Sequence, residues 1–544
     1  MTRKIVNWQI PAILIVIIST ILRLVYVFHF RINSDESQHL HVVWGWAQGL
    51  LPYRDYFDNH MPLFHVVCLP FFKLMGERPD AVIIMRLLML PIAAAIVYFT
   101  YRVGEKLFSK TVALWSAALL SVHNVFLFKS LEFRADNLWA LAWLIAVYIL
   151  ISGRLSLKRS FFAGIFAGVA IGVSLKSMFL LVCLLVAIVL VYIMSRFVSA
   201  YFCSKNVLFK FSLFIAGALV APSLITVYFA KAGAVKDLIK CTLLHNITSP
   251  TSSGEIAIAK ILPVFIIVPI IWLTRKKILN VVNRTAIMQA VLLIFVCLYV
   301  FIAKPIFMDS TMQNYLPAQP LLAVFIAGVL AVKFGRVGRL ILIAICIVEL
   351  IYVTFKGPFW VDKTISDINM VGEILKLTDP GETVFDAKGE TIFRPRACYE
   401  VFEHITVKRL DSDQIYKTIE QGFIQKKCYV AVFNGKQFPQ DVKRYMDDNF
   451  LRVGYLRIAG KVLQPVEENR DYYHFCVDIP AFYRIVEENG DAVGLLDGEE
   501  YKGKVFLGAG CHEFVLKNSF NQKLILVWAQ AIDRGFLPDF SSQK

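Results

Sequence analysis

Charge is scarce in this sequence. Of 544 residues only 18% are Asp, Glu, Lys or Arg, against 57% hydrophobic, a balance that excludes an ordinary soluble globular chain. Internal repeats, low-complexity tracts, metal-type cysteine pairs and an HExxH-type ligand spacing are also missing, so solenoids and recognised zinc sites are not indicated. No persuasive small-residue cleavage site follows the first apolar run, which therefore reads as a retained helix rather than a removed signal peptide.

What is present changes character near residue 357. Before it come apolar runs at 9–30, 80–101, 111–128, 136–152, 161–175, 177–195, 208–230, 257–274, 285–303, 315–333 and 339–355. Each is long enough, at roughly 20 residues, to be weighed as a bilayer span. The reading is an α-helical polytopic membrane protein of about eleven helices. The run at 62–75 is short and flanked by prolines, which suits an interfacial or re-entrant helix. After 357, helical spacing at 361–377, 411–423 and 440–450 alternates with strands at 383–387, 428–433 and 455–460. Short strands broken by Gly, Asn and Asp follow from about 470. The expected regions are 1–356 in the membrane, a small α/β domain at 357–467 and a β-rich module at 468–544.

The net charge of +16 suggests nucleic acid until its placement is read. Arg3/Lys4, Arg102/Lys106/Lys110, Arg154/Lys158/Arg159, Arg196/Lys205/Lys210, Arg275/Lys276/Lys277/Arg284 and Lys333/Arg336/Arg339 cluster in short loops between apolar runs. By the positive-inside rule these loops are cytoplasmic. The N-terminus is then cytoplasmic, the C-terminal region lies outside, and nucleic-acid binding is not expected. Among the ten cysteines, Cys398, Cys428, Cys476 and Cys511 fall in that outer region. An oxidising compartment permits disulfides there, with three connectivities open.

Polar singularities concentrate in the outer loops, above all at 31–65, RINSDESQHLHVVWGWAQGLLPYRDYFDNHMPLFH. Asp35 and Glu36 follow the first span directly, and SQHLHVVWGWAQGL has helical spacing suited to lying along the interface. On that helix Asp35 and His39 share a face. Asp35 could serve as a general base; capping by Ser34 or Asp35 is the alternative, and the residues alone favour it. Asp136, after Arg134, opens the helix at 136–152 and is explained equally by capping or by function. Lys129, Arg134, Lys176 and Lys304 stand at outer helix ends, where they could converge on one anion such as a lipid phosphate, although Lys176 alone could simply snorkel. Five of the ten histidines lie between His29 and His65, which leaves a divalent metal as a minority reading. Trp44, Trp46, Tyr53, Tyr56 and Phe57 suit either an interfacial belt or sugar stacking.

Four local matches, in order, resemble the GT-C class of membrane glycosyltransferases, specifically the protein-mannosyltransferase and aminoarabinose-transferase superfamily. They are Asp35-Glu36, DNHMPLFH at 58–65, FRADNLWALAW at 133–143 and QNYLPAQPLLAVF at 313–325. The resemblance covers roughly residues 8–355. It implies a polyprenyl-phosphate-sugar donor, inversion at the anomeric carbon, a glycan, lipid or protein acceptor, and chemistry on the periplasmic face of a bacterial inner membrane, as in lipopolysaccharide modification. It also implies Asp35, Glu36 and Asp136 as catalytic residues, with Lys176, Lys304, Arg134, His60 and Tyr315 at the donor phosphate. Met61, Asn314 and Ala135 depart from its pattern, and Asn314 removes an expected cation before Tyr315. A polysaccharide ligase or polymerase, and a transporter, are the rival readings. The first lacks its Arg/His-rich late loop and the second its paired halves and charges at mid-helix.

Overall fold

The structure is a computed structural model that describes residues 8–194, 206–247, 284–306, 311–433, 438–466, 469–488, 490–517 and 523–541. The expected segment 257–274, the basic residues Arg3, Lys4, Arg196, Lys205 and Arg275 to Lys277, parts of the loops 231–256 and 304–314, and the side chain of Lys304 lie outside the described residues. The chain divides into two compact units. One comprises Met1–Ile32, Asp58–Phe72 and Val82–Lys363; the other comprises Asn33–Phe57, Lys73–Ala81 and Thr364–Lys544.

The first unit is helical. Each expected apolar segment other than 257–274 falls on helix, with 80–101 broken at Leu88 and 111–128 at His123. Among the described residues five helices are long and apolar enough to cross a membrane: Gln9–His29, Ala81–Leu107, Asn206–Lys231, Arg284–Phe301 and Gly335–Lys356. Shorter apolar helices accompany them at Lys110–Val122, Ala135–Ile151, Ser177–Ile193 and Gln319–Lys333.

The first helix shows how such a span is written. Ala12, Ile15, Ser19, Arg23 and Tyr26 form a buried stripe, while Ile10, Ile13, Leu14, Ile17, Ile18, Ile21 and Leu24 face outward. Its polar groups therefore point into protein and its most apolar face points out, the reverse of a soluble helix, because lipid offers polar groups no partner. Arg23 donates to Ser130 Oγ at 3.1 Å and lies over the Phe126 ring. At the C-terminal end, buried Arg86 donates to the carbonyls of Val27, Phe30 and Arg31 at 3.2, 2.8 and 2.9 Å. A guanidinium is well matched to the carbonyls and negative dipole end of a helix, and here it fixes where the chain leaves the helix.

Elsewhere small residues set the packing. A Cβ placed on Gly164 would overlap the Phe214 carbonyl oxygen, and one on Gly217 would overlap the Phe161 carbonyl oxygen. Gly168 likewise meets the Ala218 backbone. The Leu157–Val173 and Asn206–Lys231 helices thus touch backbone to backbone through a small-xxx-small stripe, Gly164 and Gly168, as helices do in a medium where hydrophobic burial gives no drive to associate.

The second unit is built on sheets. The larger runs Val384–Phe385, Val430–Ala431, Leu456–Leu463, Leu524–Trp528, Ala481–Glu487, Val505–Leu507, with the first pair parallel and the later pairs antiparallel. The helices Ile365–Leu377, Ser412–Gln425 and Gln440–Asn449 supply apolar faces to its core, through Ile374, Ile415, Ile419, Phe423, Val442 and Met446. Leu524–Trp528 pairs with Leu456–Leu463, so this sheet runs across residue 467, where the sequence suggests a division. A second sheet has the order Glu499–Glu500, Gly494–Leu496, Gly510–Leu516, Asn469–Val477, Pro465–Val466. In it Cys476 and Cys511 face each other and are joined as a disulfide, while Cys398 and Cys428 are buried thiols. Only one bridge forms among these four cysteines, so none of the three two-bridge connectivities is realised.

Replacing Gly168 by Leu forces the two backbones apart, with an expected cost of about 3 kcal/mol. A thermal unfolding midpoint in detergent well below that of the parent protein is the expected result.

Candidate active site

In the second unit the Ser34–Ala47 helix begins with Asn33 as its cap. The Asn33 side chain accepts from Asp35 N–H at 3.0 Å, and Glu36 Oε1 accepts from Asn33 N–H at 2.9 Å. This is a closed capping box. Capping by Ser34 or Asp35, the reading the residues favoured, is therefore overturned. Glu36 is fully buried in the box, whereas Asp35 keeps a quarter of its side chain exposed and pairs with the ammonium of Lys388.

The helix itself does not lie on an interface. Every residue from Glu36 to Gly45 is buried, around the full circumference. Trp44 Nε1 donates to Glu77 Oε1 at 2.8 Å, Tyr56 OH donates to Val42 O at 3.1 Å, and Tyr399 OH donates to Tyr53 O. Trp44, Tyr53 and Tyr56 are packed inside the unit, which corrects the belt expectation for them. A helix buried on all sides needs apolar or partnered residues all round, and SQHLHVVWGWA meets that need through His41, whose Nδ1–H donates to Ile392 O at 2.8 Å.

Lys388 belongs to the loop 386–392, in which the sequence showed no constellation. Buried Asp386 organises it, accepting from Gly389 N–H at 2.6 Å, Thr391 N–H at 2.9 Å, Thr391 Oγ at 2.6 Å and Arg396 Nε at 2.8 Å. Desolvation works against the Asp386 carboxylate, but Arg396, His41 and Thr391 together hold it below the usual range. Beside it, burial and the Asp386 charge push the Glu390 carboxyl up to about 7.

In the first unit three groups of polar side chains stand at helix ends. Asp58, fully buried, accepts from His60 N–H at 3.1 Å and His60 Nδ1–H at 2.9 Å, with His65 Nδ1 3.6 Å from its other oxygen. His65 stands on the Leu63–Met75 helix. The second group runs through 129–136. Lys129 donates to both Glu132 oxygens at 2.8 Å, Arg134 Nη1 reaches Glu132 at 3.4 Å, and Arg134 Nε donates to Asp136 at 3.1 Å. Two cations and two carboxylates cancel, so Lys129 and Arg134 are drawn to protein carboxylates. Glu132, unremarked in the sequence because it follows no motif, is what draws them.

Lys176 forms the third group. The Leu157–Val173 helix ends at Ser174 in extended backbone, and Ser177 N–H bonds back to Ser174 O at 3.0 Å before the next helix. This tight link projects Lys176, whose ammonium donates to Asn314 Oδ1 at 2.7 Å. Asn314 is buried, its carbonyl accepts from Tyr299 OH at 2.6 Å, and it sits beside Tyr315 in the Met312–Tyr315 turn. An arginine in its place would set one cation against another; the amide oxygen instead welcomes the lysine. Lys304 falls in the Arg284–Ile306 helix. Among the described residues no group of three or more His, Cys, Asp or Glu is arranged to hold a metal ion.

Comparison with known proteins gives the fold a class. A family model described as dolichyl-phosphate-mannose-protein mannosyltransferase matches residues 59–225, a range that includes His60, Arg134, Asp136 and Lys176 but not Asp35. The crystal structure of ArnT from Cupriavidus metallidurans bound to undecaprenyl phosphate is 13% identical, covers 82% of this chain and 97% of its own, and superposes with a TM-score of 0.56. The same protein in the apo state gives 14%, the same coverages and 0.53. The apo oligosaccharyltransferase of Archaeoglobus fulgidus gives 11% identity, 85% and 74% coverage, and 0.49. A search of curated proteins finds no match. The chain has the fold of the GT-C glycosyltransferases.

Two outcomes follow from this geometry. Glu132→Gln leaves Lys129 and Arg134 without their shared charge partner in a buried setting and is expected to cost about 3 kcal/mol in unfolding experiments. For Glu390 the folded carboxyl binds its proton more tightly than the unfolded one. Its contribution to stability is therefore full below the ordinary carboxylate range and falls as pH rises toward about 7. Thermal midpoints from pH 5 to 8 should show this fall in the parent protein, and Glu390→Gln should flatten it.

Proposed function

We propose that this chain is an inverting glycosyltransferase that moves a sugar from a polyprenyl-phosphate donor to an acceptor hydroxyl. The observation that carries the reading is the state of Asp35. Its helix is capped by Asn33 and Glu36 rather than by Asp35, and the Asp35 carboxylate stays partly open to solvent beside the Lys388 ammonium. That is the condition of a general base. The GT-C fold and the mannosyltransferase-type match over 59–225 support the reaction class, and the undecaprenyl phosphate in the ArnT crystal structure supports a donor of that kind.

In the proposed step the acceptor oxygen attacks the anomeric carbon from the face opposite the phosphate. The bond from carbon to phosphate oxygen breaks, its electron pair leaves with the phosphate, and the acceptor proton passes to Asp35. The configuration inverts because entry and departure are in line. Glu36 serves as a positioning residue, holding the turn that presents Asp35. Charge grows on the leaving phosphate, and Lys176, with Lys304, His60 and Tyr315, is assigned to meet it. Asn314 orients the Lys176 ammonium through its amide oxygen. Asp136 is assigned to position the acceptor and is oriented by Arg134, which bridges it to Glu132 and is assigned with Lys176 to the donor phosphate.

The reading also places the basic loops in the cytoplasm and the C-terminal unit in the periplasm of an inner membrane, with regions at 1–356, 357–467 and 468–544 as working divisions. The Cys476–Cys511 disulfide supports an oxidising compartment for that unit.

Asp35→Asn should lower transfer from polyprenyl-phosphate sugars by on the order of 10²-fold or more while leaving the thermal midpoint in place. Assay of radiolabelled donor turnover by the purified protein checks this, and near-parental rates in the variant would overturn the mechanism. Lys176→Met should reduce transfer comparably, and mass spectrometry should recover less polyprenyl phosphate with the purified variant.

A further inference from the structure

Apart from Lys73–Ala81, the sheet unit lies outside the residues matched by the mannosyltransferase family, yet it holds the proposed base. Three contacts dock the loop 386–392 onto the Ser34–Ala47 helix. Lys388 pairs with Asp35 at the first turn. Two turns further on, Gly389 lies so close to His41 that a Cβ there would come within 3.0 Å of the histidine Cβ. The His41 ring then donates to Ile392 O.

The loop has the marks of a shape held for a purpose. Gly389 has φ +97° and Ile392 φ +59°; the left-handed region is costly for a β-branched residue and persists where surrounding structure enforces it. Four hydrogen bonds into the Asp386 carboxylate provide that enforcement. Arg396 ties the same corner down through the carbonyls of Asp386, Ala387 and Glu400 at 3.0, 3.1 and 2.9 Å. The Lys388 backbone N–H is held in turn by Glu390 at 2.7 Å. A surface ion pair between flexible side chains contributes little, but here the lysine is delivered by a braced loop and both partners are mostly covered.

We infer that Lys388 is a positioning residue for Asp35, through which the loop 386–392 sets the orientation and protonation of the proposed base. The inference rests on the reading of Asp35 given above. The charged and titratable groups around the pair are Glu36 and His39 on the helix, and Glu390, Asp386 with Arg396, and His41 where the loop meets it. Lys388 supplies a cation in direct contact with the carboxylate. Its removal should raise the pH at which Asp35 takes up a proton by about one unit or more, and free the carboxylate to turn away.

The test uses the full-length protein in detergent and two readouts. Carboxyl labelling with a water-soluble carbodiimide and an amine, followed by mass spectrometry of the peptide containing Asp35 across pH 3 to 8, reports protonation without requiring turnover. Lys388→Met should shift the labelling midpoint upward, and Lys388→Arg should restore it. In the transfer assay the acidic limb of kcat should move upward in the same variant with KM for the donor little changed. Gly389→Ala, which keeps the lysine but pushes the loop off His41, should shift both readouts part of the way. An unchanged labelling midpoint in Lys388→Met, with thermal unfolding showing an intact fold, would overturn the inference. A shifted midpoint in a protein that transfers no sugar from any polyprenyl-phosphate donor would instead sustain the pairing and overturn the proposed function.

Discussion

An ionised group beside a bilayer is costly unless a partner meets it, and the polar architecture of this chain follows from that constraint. Asp35 has Lys388, Asp386 has Arg396, Glu77 has Arg394, Asp136 has Arg134, and Glu132 has Lys129. Asp58 is met by His60. Backbone carbonyls also serve as partners, as at Arg86 on the end of the first helix. The partners differ in kind: Arg134 bridges two carboxylates, whereas Lys176 donates to the amide oxygen of Asn314.

Pairing also explains why neighbouring acids have different characters. Asp35 and Glu36 are adjacent carboxylates that composition does not distinguish. The turn separates them: the residue at the third helical position reaches back to the cap, and the one before it cannot. A resemblance between families treats the two as a motif, while the hydrogen bonds commit Glu36 to the cap and leave Asp35 paired with Lys388.

Much of the fold was legible because its signals are local. Apolar length predicts spans without any knowledge of partners, and the alternation of helix and strand after 360 falls on helices and strands such as Ile365–Leu377 and Leu456–Leu463. Candidate site residues stood out in the sequence only where one residue type is unusual for its place, as with Asp35, Asp136 and Lys176. Glu132, Asn33 and Lys388 did not. Glu132 looks like a loop acid, Asn33 was masked by two better-known caps beside it, and Lys388 is one of many lysines in a polar region. The Ser34–Ala47 helix was misplaced for a related reason: aromatics and histidines read as interfacial until the segments 73–81 and 364–544 that cover it are known to share its unit.

That sharing has a consequence for how the protein is made. Asp35 and Lys388 are separated by 353 residues, so at roughly 5 to 20 residues per second the ribosome supplies the lysine tens of seconds after the aspartate. Throughout that interval the helix that carries Asp35 has neither the loop nor the sheet that buries it, and its histidines and tryptophans wait unassembled beside the newly inserted first span. A nascent chain that has passed its first span therefore carries Asp35 on an uncovered helix with no Lys388 to meet it, and the ion pair assembles only after the later segments of the sheet unit have been made.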